Sequence, residues 1–228
     1  ECTKLLYEYL GDLIVLDVGG ATTDLHSVTV ESDQVARLMI SPEPKAKRTV
    51  EGDLGVYVNR WKVVESIGEE KLREQCREQG FSMEHALETY RAIPKTEEEV
   101  KLVELLTREA VVKAAERHAG RLRYIYGPSG RSTVAEGKDL TQVKYIVGTG
   151  GALTRLPHRE EIMREITRCN ESGMLLLPGE HAQILVDHDY IMASLGVLSK
   201  RYPQAAARLL EQSLGITFPE RKAEEPVP

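Results

Sequence analysis

The spacing of apolar positions changes along this chain, and each change marks a different class of element. Residues 13–16, Leu-Ile-Val-Leu, form a continuous apolar run, as expected of a strand buried on both faces. From Asp24 the pattern alternates, with Leu25, Ser27 and Thr29 on one face and His26, Val28 and Val30 on the other. Residues 34–40 read as a third strand after a polar turn, so short connections predict an antiparallel three-strand meander. Residues 41–48 follow as a basic loop broken by Pro42 and Pro44.

Beyond Gly52 the period becomes helical. Leu54, Val56, Tyr57, Val58, Trp61 and Val64 line one face of a helix expected to end near Gly68. Two more helices are expected over 69–80 and 82–94, the second capped by Ser82. The longest follows: Thr96 caps it, Glu97, Glu98 and Glu99 occupy its first turn, and Gly120 stops it. Its predicted buried stripe is Val100, Val103, Leu106, Ala110 and Ala114. Residues 121–137 read as a hairpin turning at 127–130, and 143–147 as a fourth core strand. A helix from about His158, strands over 174–178 and 182–187, and two closing helices complete the pattern. The first closing helix is expected to start at Tyr190 with Asp189 as its cap. The order predicts an α/β domain over 1–215, a mixed sheet flanked by helices, with an insertion-like helical block at about 69–119. Residues 216–228, polar and Pro-rich, are expected to be a disordered tail.

Composition narrows the function classes. A net charge of −6 argues against a nucleic-acid partner. No apolar run approaches the roughly 20 residues of a membrane span, so no membrane partner is expected. Cys2, Cys76 and Cys169 match no metal or disulfide spacing and read as reduced thiols of a cytoplasmic protein. The chain opens at Glu1 with neither Met nor leader, and is expected to be the C-terminal part of a longer protein.

Two glycine loops carry the candidate chemistry. In residues 17–24, Gly19 and Gly20 let the backbone approach a ligand closely. Successive N–H groups in such a turn make an anion nest, and Thr22 and Thr23 add hydroxyl donors. Asp17 and Asp24 flank the turn, a placement that suits a hydrated Mg²⁺ beside a phosphate. A plain Gly-Gly hairpin explains the glycines but not the paired carboxylates and threonines. The second loop holds Gly148, Gly150 and Gly151 after an apolar strand; it is neither a G-x-G-x-x-G nor a Walker loop. Either a flat ring lies against its bare backbone, or it is a tight strand-to-helix connection. Asp187 and Asp189 flank His188 and suggest a metal, but a helix cap is the simpler reading.

Residues 17–24 resemble the phosphate-2 motif of the actin, sugar-kinase and heat-shock-chaperone ATPase superfamily, through Asp17, Gly19, Gly20, Thr22 and Asp24. Ala21 stands where many chaperones have a third glycine. Gly148, Gly150, Gly151 and Pro157 resemble the adenosine motif, and Ala193 with Gly196 the second connect motif. The blocks 17–28, 48–60, 137–153 and 175–210 are similar to the glutamate mutase accessory family called MutL or GlmL, unrelated to the mismatch-repair protein of the same name.

This resemblance implies a ribonuclease-H-like ATPase domain. It also implies ATP and Mg²⁺ as cofactors and an adenosylcobalamin-dependent mutase as the protein partner, reactivated by exchange of damaged cobalamin. Asp17 and Asp24 are then the catalytic residues and hold Mg²⁺ through water. Gly19, Gly20, Thr22 and Thr23 hold the phosphates, and Gly148, Gly150 and Gly151 pack on adenosine. Glu51, Gly52 and Asp53 lie where chaperone relatives place a nucleotide-side turn; Asp53 reads equally as a helix cap. The phosphate-1 motif belongs to an N-terminal domain expected to be missing from this chain, so ATP hydrolysis is expected only of the two-domain protein. A small-molecule kinase of the same superfamily and a non-hydrolysing nucleotide-gated scaffold remain alternatives.

Overall fold

The computed structural model describes residues 1–128 and 130–219. In chain order the first elements are α1 (Cys2–Leu10), β1 (Leu13–Val18), β2 (Thr23–Val28), α2 (Asp33–Ala36) and β3 (Ala46–Glu51). A helical stretch follows: α3 (Arg60–Ile67), α4 (Glu69–Glu78), α5 (Met83–Glu88) and α6 (Glu97–His118). Then come β4 (Arg121–Gly127), β5 (Gly130–Glu136), β6 (Tyr145–Thr149), α7 (Gly150–Arg155) and α8 (Arg159–Arg164). The last are β7 (Gln183–Val186), α9 (Met192–Leu198) and α10 (Pro203–Leu214).

A strand with no polar face must be covered on both sides, and β1 sets the architecture for that reason. Ile14, Leu16 and Val18 join Leu25 and Ile146 in a core under α3–α8, while Leu13 and Val15 join Val147 and Leu185 under α1, α9 and α10. Each such fully buried aliphatic side chain is worth about 1.5–3 kcal/mol relative to exposure. The sheet runs β3-β2-β1-β6-β7, antiparallel through β3, β2 and β1 and parallel through β1, β6 and β7. It is a mixed five-strand sheet between two helical layers. Among the described residues no helix is long and apolar enough to cross a membrane.

The meander forms with a different third strand. Residues 34–40 do not pair in the sheet: Ser32 Oγ accepts from Val35 N–H and starts the turn of α2, and the buried Asp139 holds Ser32 N–H at 2.9 Å. The last residues of the expected basic loop, Ala46, Lys47 and Arg48, with Thr49, Val50 and Glu51 after them, supply β3 instead. Its residues alternate between exposed and half-buried, as suits a polar sheet edge guarded by Lys47 and Arg48. Buried Lys138 braces the connection before it, donating to Thr29 O and Pro44 O at 3.1 and 2.8 Å.

Other departures have similarly local causes. Residues ahead of the first predicted strand form a helix, α1, where no element is expected. Residues 174–178 form only an isolated bridge at Leu175, although Leu176 and Leu177 are buried. The helix expected from Leu54 begins at Arg60, because residues 55–59 run as an irregular, turning strap beneath the first glycine turn. Within the helical block, α6 packs directly on β1, β2 and β3 and supplies Leu102, Leu106, Ala110 and Ala114 to the core. The expected tail begins in the fold, since Phe218 is buried and stacks on Tyr9 at 4.9 Å. Residues 220–228 lie outside the described residues.

Helix α6 has the predicted capping box, with Thr96 and Glu99 satisfying each other's backbone N–H groups. Thr96→Ala removes one of these caps and should cost about 1 kcal/mol. Thermal unfolding followed by circular dichroism should show a Tm lower by roughly 2–4 °C.

Candidate nucleotide site

The β1–β2 turn, residues 19–22, closes when Gly19 N–H donates to Thr22 O at 3.0 Å. The carbonyls of its next peptides all point toward the strap. Gly19 O accepts from Val56 N–H at 3.2 Å, Gly20 O from Tyr57 and Val58 N–H at 2.9 and 2.7 Å, and Ala21 O from Asn59 Nδ2 at 2.8 Å. The strap fits tightly, since a Cβ on Gly55 would overlap the Ala21 backbone. In a planar trans peptide the N–H points opposite to the C=O. The N–H groups of Gly20, Ala21 and Thr22 therefore face away from the strap, and among the described residues they make no hydrogen bond. Consecutive free donors of this kind form a concave anion site.

Asp17 and Asp24 oppose each other in the β1–β2 register, so their side chains share one face. They are differently engaged. Asp24 Oδ1 accepts from Arg48 Nε and Nη2 at 3.1 and 2.7 Å, and Oδ2 accepts from Thr22 Oγ1 at 3.1 Å. The Asp17 carboxylate accepts no hydrogen bond among the described residues. Burial, and then the negative charges of Asp24 and Asp187, raise its pKa above the ordinary carboxylate value, against the opposing pull of Arg48. Thr23 points inward, fully buried, and donates to Leu54 O at 2.7 Å.

The second loop reaches the same place from β6. Thr149 pairs with Asp17 in the parallel register, and its Oγ1 donates to Asp187 Oδ2 at 2.8 Å. Fully buried Asp187 also accepts from Ser213 Oγ and from the N–H groups of Ile191 and Met192, so it rather than Asp189 caps α9. A helix not expected from the sequence, α7, begins at Gly150 itself, ahead of α8, which starts after His158 as expected. Gly150 takes φ +85°, and a Cβ there would sit 2.5 Å from Asp17 Oδ1. Gly148 turns into the core instead, where a Cβ would meet Met163 Sδ at 2.6 Å.

Gly19, Gly20 and Gly151 line one cavity of about 490 Å³. Its other walls are mostly apolar: Tyr57, Tyr90, Ile93, Val103, Leu156 and Tyr190 contribute, with Arg155 as a cation. Asp17, Asp24, Thr22, Gly148 and Gly150 are not on its wall. The carboxylate pair sits beside the turn, at the opposite face of the β1 tip. Glu51 and Asp53 also face elsewhere, held by Arg117 at 2.7 and 2.8 Å, and Gly52 O accepts from Asn59. Asp53 is thus an ion-pair partner and not a helix cap; its pKa lies below the ordinary value because Arg117 bonds to it.

Sequence reading missed Asn59 and the aromatic walls, and offered Asp187 only as a metal candidate, not as the hub that holds Thr149, Ser213 and the start of α9. Asp187 carried a signal, standing directly after an apolar strand and before a helix. Tyr57, Tyr90 and Tyr190 carried none, because three separate segments bring them together. Among the described residues no three His, Cys, Asp or Glu side chains are grouped to hold a metal ion by themselves.

Comparison with known proteins matches residues 1–214 to the family described as MutL protein. The chain is 36% identical over 211 residues to Protein MutL from Clostridium tetanomorphum, a match covering 90% of this chain and 46% of that protein. The chain therefore spans about half the length of that relative.

The strained carboxylate gives a pH test. A raised folded-state pKa means that wild-type protein loses stability as pH rises through the interval above the ordinary Asp value. Asp17→Asn lacks that loss. Its Tm should exceed the wild type's at pH 7, and the difference should shrink as pH falls through the raised pKa toward pH 4; an equal or lower Tm at neutral pH contradicts the assignment.

Proposed function

We propose a function for a chain that belongs to the MutL protein family: it is the nucleotide-binding half of an ATP-dependent, chaperone-like accessory protein for an adenosylcobalamin-dependent mutase of the glutamate mutase type. The observation that carries this reading is the turn at 19–22, where three successive peptide N–H groups are free and whose Gly19 and Gly20 line an apolar cavity. Donors fixed in advance favour a multiply charged anion, and hydrogen bonds to charged groups are worth about 1.5–3 kcal/mol each. A cavity of about 490 Å³ lies within the usual range for a small ligand. Its apolar and aromatic walls suit a flat base, and Gly151, with no atom near its missing Cβ, leaves backbone bare for it.

The strand order, an antiparallel triplet followed by two parallel strands, supports a ribonuclease-H-like reading of the sheet. In this reading the β- and γ-phosphates lie on the turn and adenosine lies toward Gly151, with Arg155 alongside. Thr23 takes no part in phosphate binding, because its hydroxyl is committed to Leu54 O. Gly150 allows the loop to close over Asp17.

The residues fit a phosphate-borne Mg²⁺ through Asp17, whose carboxylate is unpaired, more readily than through Asp24, which Arg48 and Thr22 already hold. Bound there, Mg²⁺ would neutralise phosphate charge. Asp24 keeps the turn and Arg48 in place beside it. The remaining half of the longer protein is proposed to bring the opposing phosphate contacts and the catalytic groups absent here, so that turnover belongs to the two-domain protein.

The test uses full-length protein and a mutase inactivated with damaged cobalamin. ATP consumption that rises with this partner, together with cobalamin release, supports the reactivase. Phosphoryl transfer to a sugar or an acid supports the kinase alternative, and bound nucleotide without turnover supports the scaffold. Asp17→Ala should abolish turnover with an unchanged circular dichroism spectrum; wild-type rates in both Asp17→Ala and Asp24→Ala would falsify the site.

A further inference from the structure

Within the turn, one peptide is held differently from its neighbours. Backbone N–H groups of the strap hold Gly19 O and Gly20 O, whereas a side chain, the amide of Asn59, holds Ala21 O. The same Nδ2 donates to Gly52 O at 2.7 Å. Both partners are carbonyls, so the amide must present its NH₂ group to them. The Gly52 end is itself fixed, because Arg117 grips Glu51 and Asp53 on either side of it.

Asn59 gives up an ordinary role to do this. It is the N-cap residue of α3, where an Asn side chain usually accepts a backbone N–H of the first turn and adds about 1 kcal/mol. No such side-chain bond is made. A residue that departs from its local preference while keeping good hydrogen bonds points to a demand from elsewhere. Here the demand is the direction of one peptide plane. With Ala21 O turned toward Asn59, Thr22 N–H faces the opposite way, out of the turn. A flip of that peptide would place a carbonyl oxygen where the donor stood, and so turn attraction for an anion into repulsion.

We propose that Asn59 is a positioning residue for the phosphate turn, fixing the Ala21–Thr22 peptide so that Thr22 N–H meets a phosphate oxygen. The proposal rests on the nucleotide reading above and sharpens it, since it predicts an effect on the phosphates alone. Asn59 does not line the cavity, so adenosine contacts are unaffected by its loss.

Calorimetric titration of the full-length protein with Mg·ATP and, separately, with adenosine tests this. Asn59→Ala should weaken Mg·ATP binding about tenfold or more, the effect of losing one charge-assisted hydrogen bond from Thr22 N–H to phosphate, and leave adenosine binding at the wild-type Kd. Asn59→Asp, similar in shape but without the donor, should lose Mg·ATP with the same selectivity. Retained adenosine binding also reports that each variant is folded. Unchanged Mg·ATP affinity overturns the proposal, and so does an equal loss for both ligands, which marks Asn59 as merely structural. Wild-type protein that is folded but binds neither ligand overturns the nucleotide reading itself, and this proposal with it.

Discussion

A central strand buried on both faces leaves the chain one place to do chemistry, the end of that strand. Every side chain of β1 from Leu13 to Leu16 is committed to one of two cores, and polar groups can appear only where the strand runs out. Asp17 is the first such group, and the glycine turn follows at once. The parallel partner β6 ends at the same level, which brings Thr149 and the second glycine loop alongside. Loops at the carboxyl ends of adjacent parallel strands are where open α/β sheets form their crevices.

That placement has an energetic cost. Asp17 faces a second carboxylate in register and a third, Asp187, nearby, in a setting that already penalises charge. The fold contains this locally. Asp24 is neutralised by Arg48, and Asp187 spends its oxygens on two hydroxyls and two backbone N–H groups. Asp17 is left without such relief. A carboxylate kept unpaired at the expense of stability is a recognised mark of a functional site.

Features set by local rules were legible in the sequence. The apolar run of β1, the capping box of α6 and the turn glycines all announce themselves within a few residues. The third strand did not, because an edge strand exposes its polar residues and β3 reads as a loop. The strap at 55–59 was equally hidden: its apolar residues are spaced helically, yet their N–H groups are needed by the turn. The cap of α9 depended on where β7 stops and on the left-handed conformation of Tyr190, at φ 54°, and neither is written in a short window. Gly148 shows the limit of motif spacing, since Gly151, three residues on, opens onto the cavity while Gly148 itself packs against Met163. The resemblance of the longer blocks pointed to the right family, but it did not distinguish those glycines.

The layer beneath α1 draws on both ends of this segment. Leu5, Leu6 and Leu10 pack with Leu195, Leu210 and Phe218, and Cys2 Sγ donates to Met192 O. The other core needs nothing beyond Val186. During synthesis the two therefore mature at different times. The α6 side can condense once β7 has emerged, whereas the opposite face of the sheet stays uncovered until residues near 218 leave the ribosome. Through that interval Leu13, Val15, Val147 and Leu185 lie open to water, and α1 waits for helices some two hundred positions away.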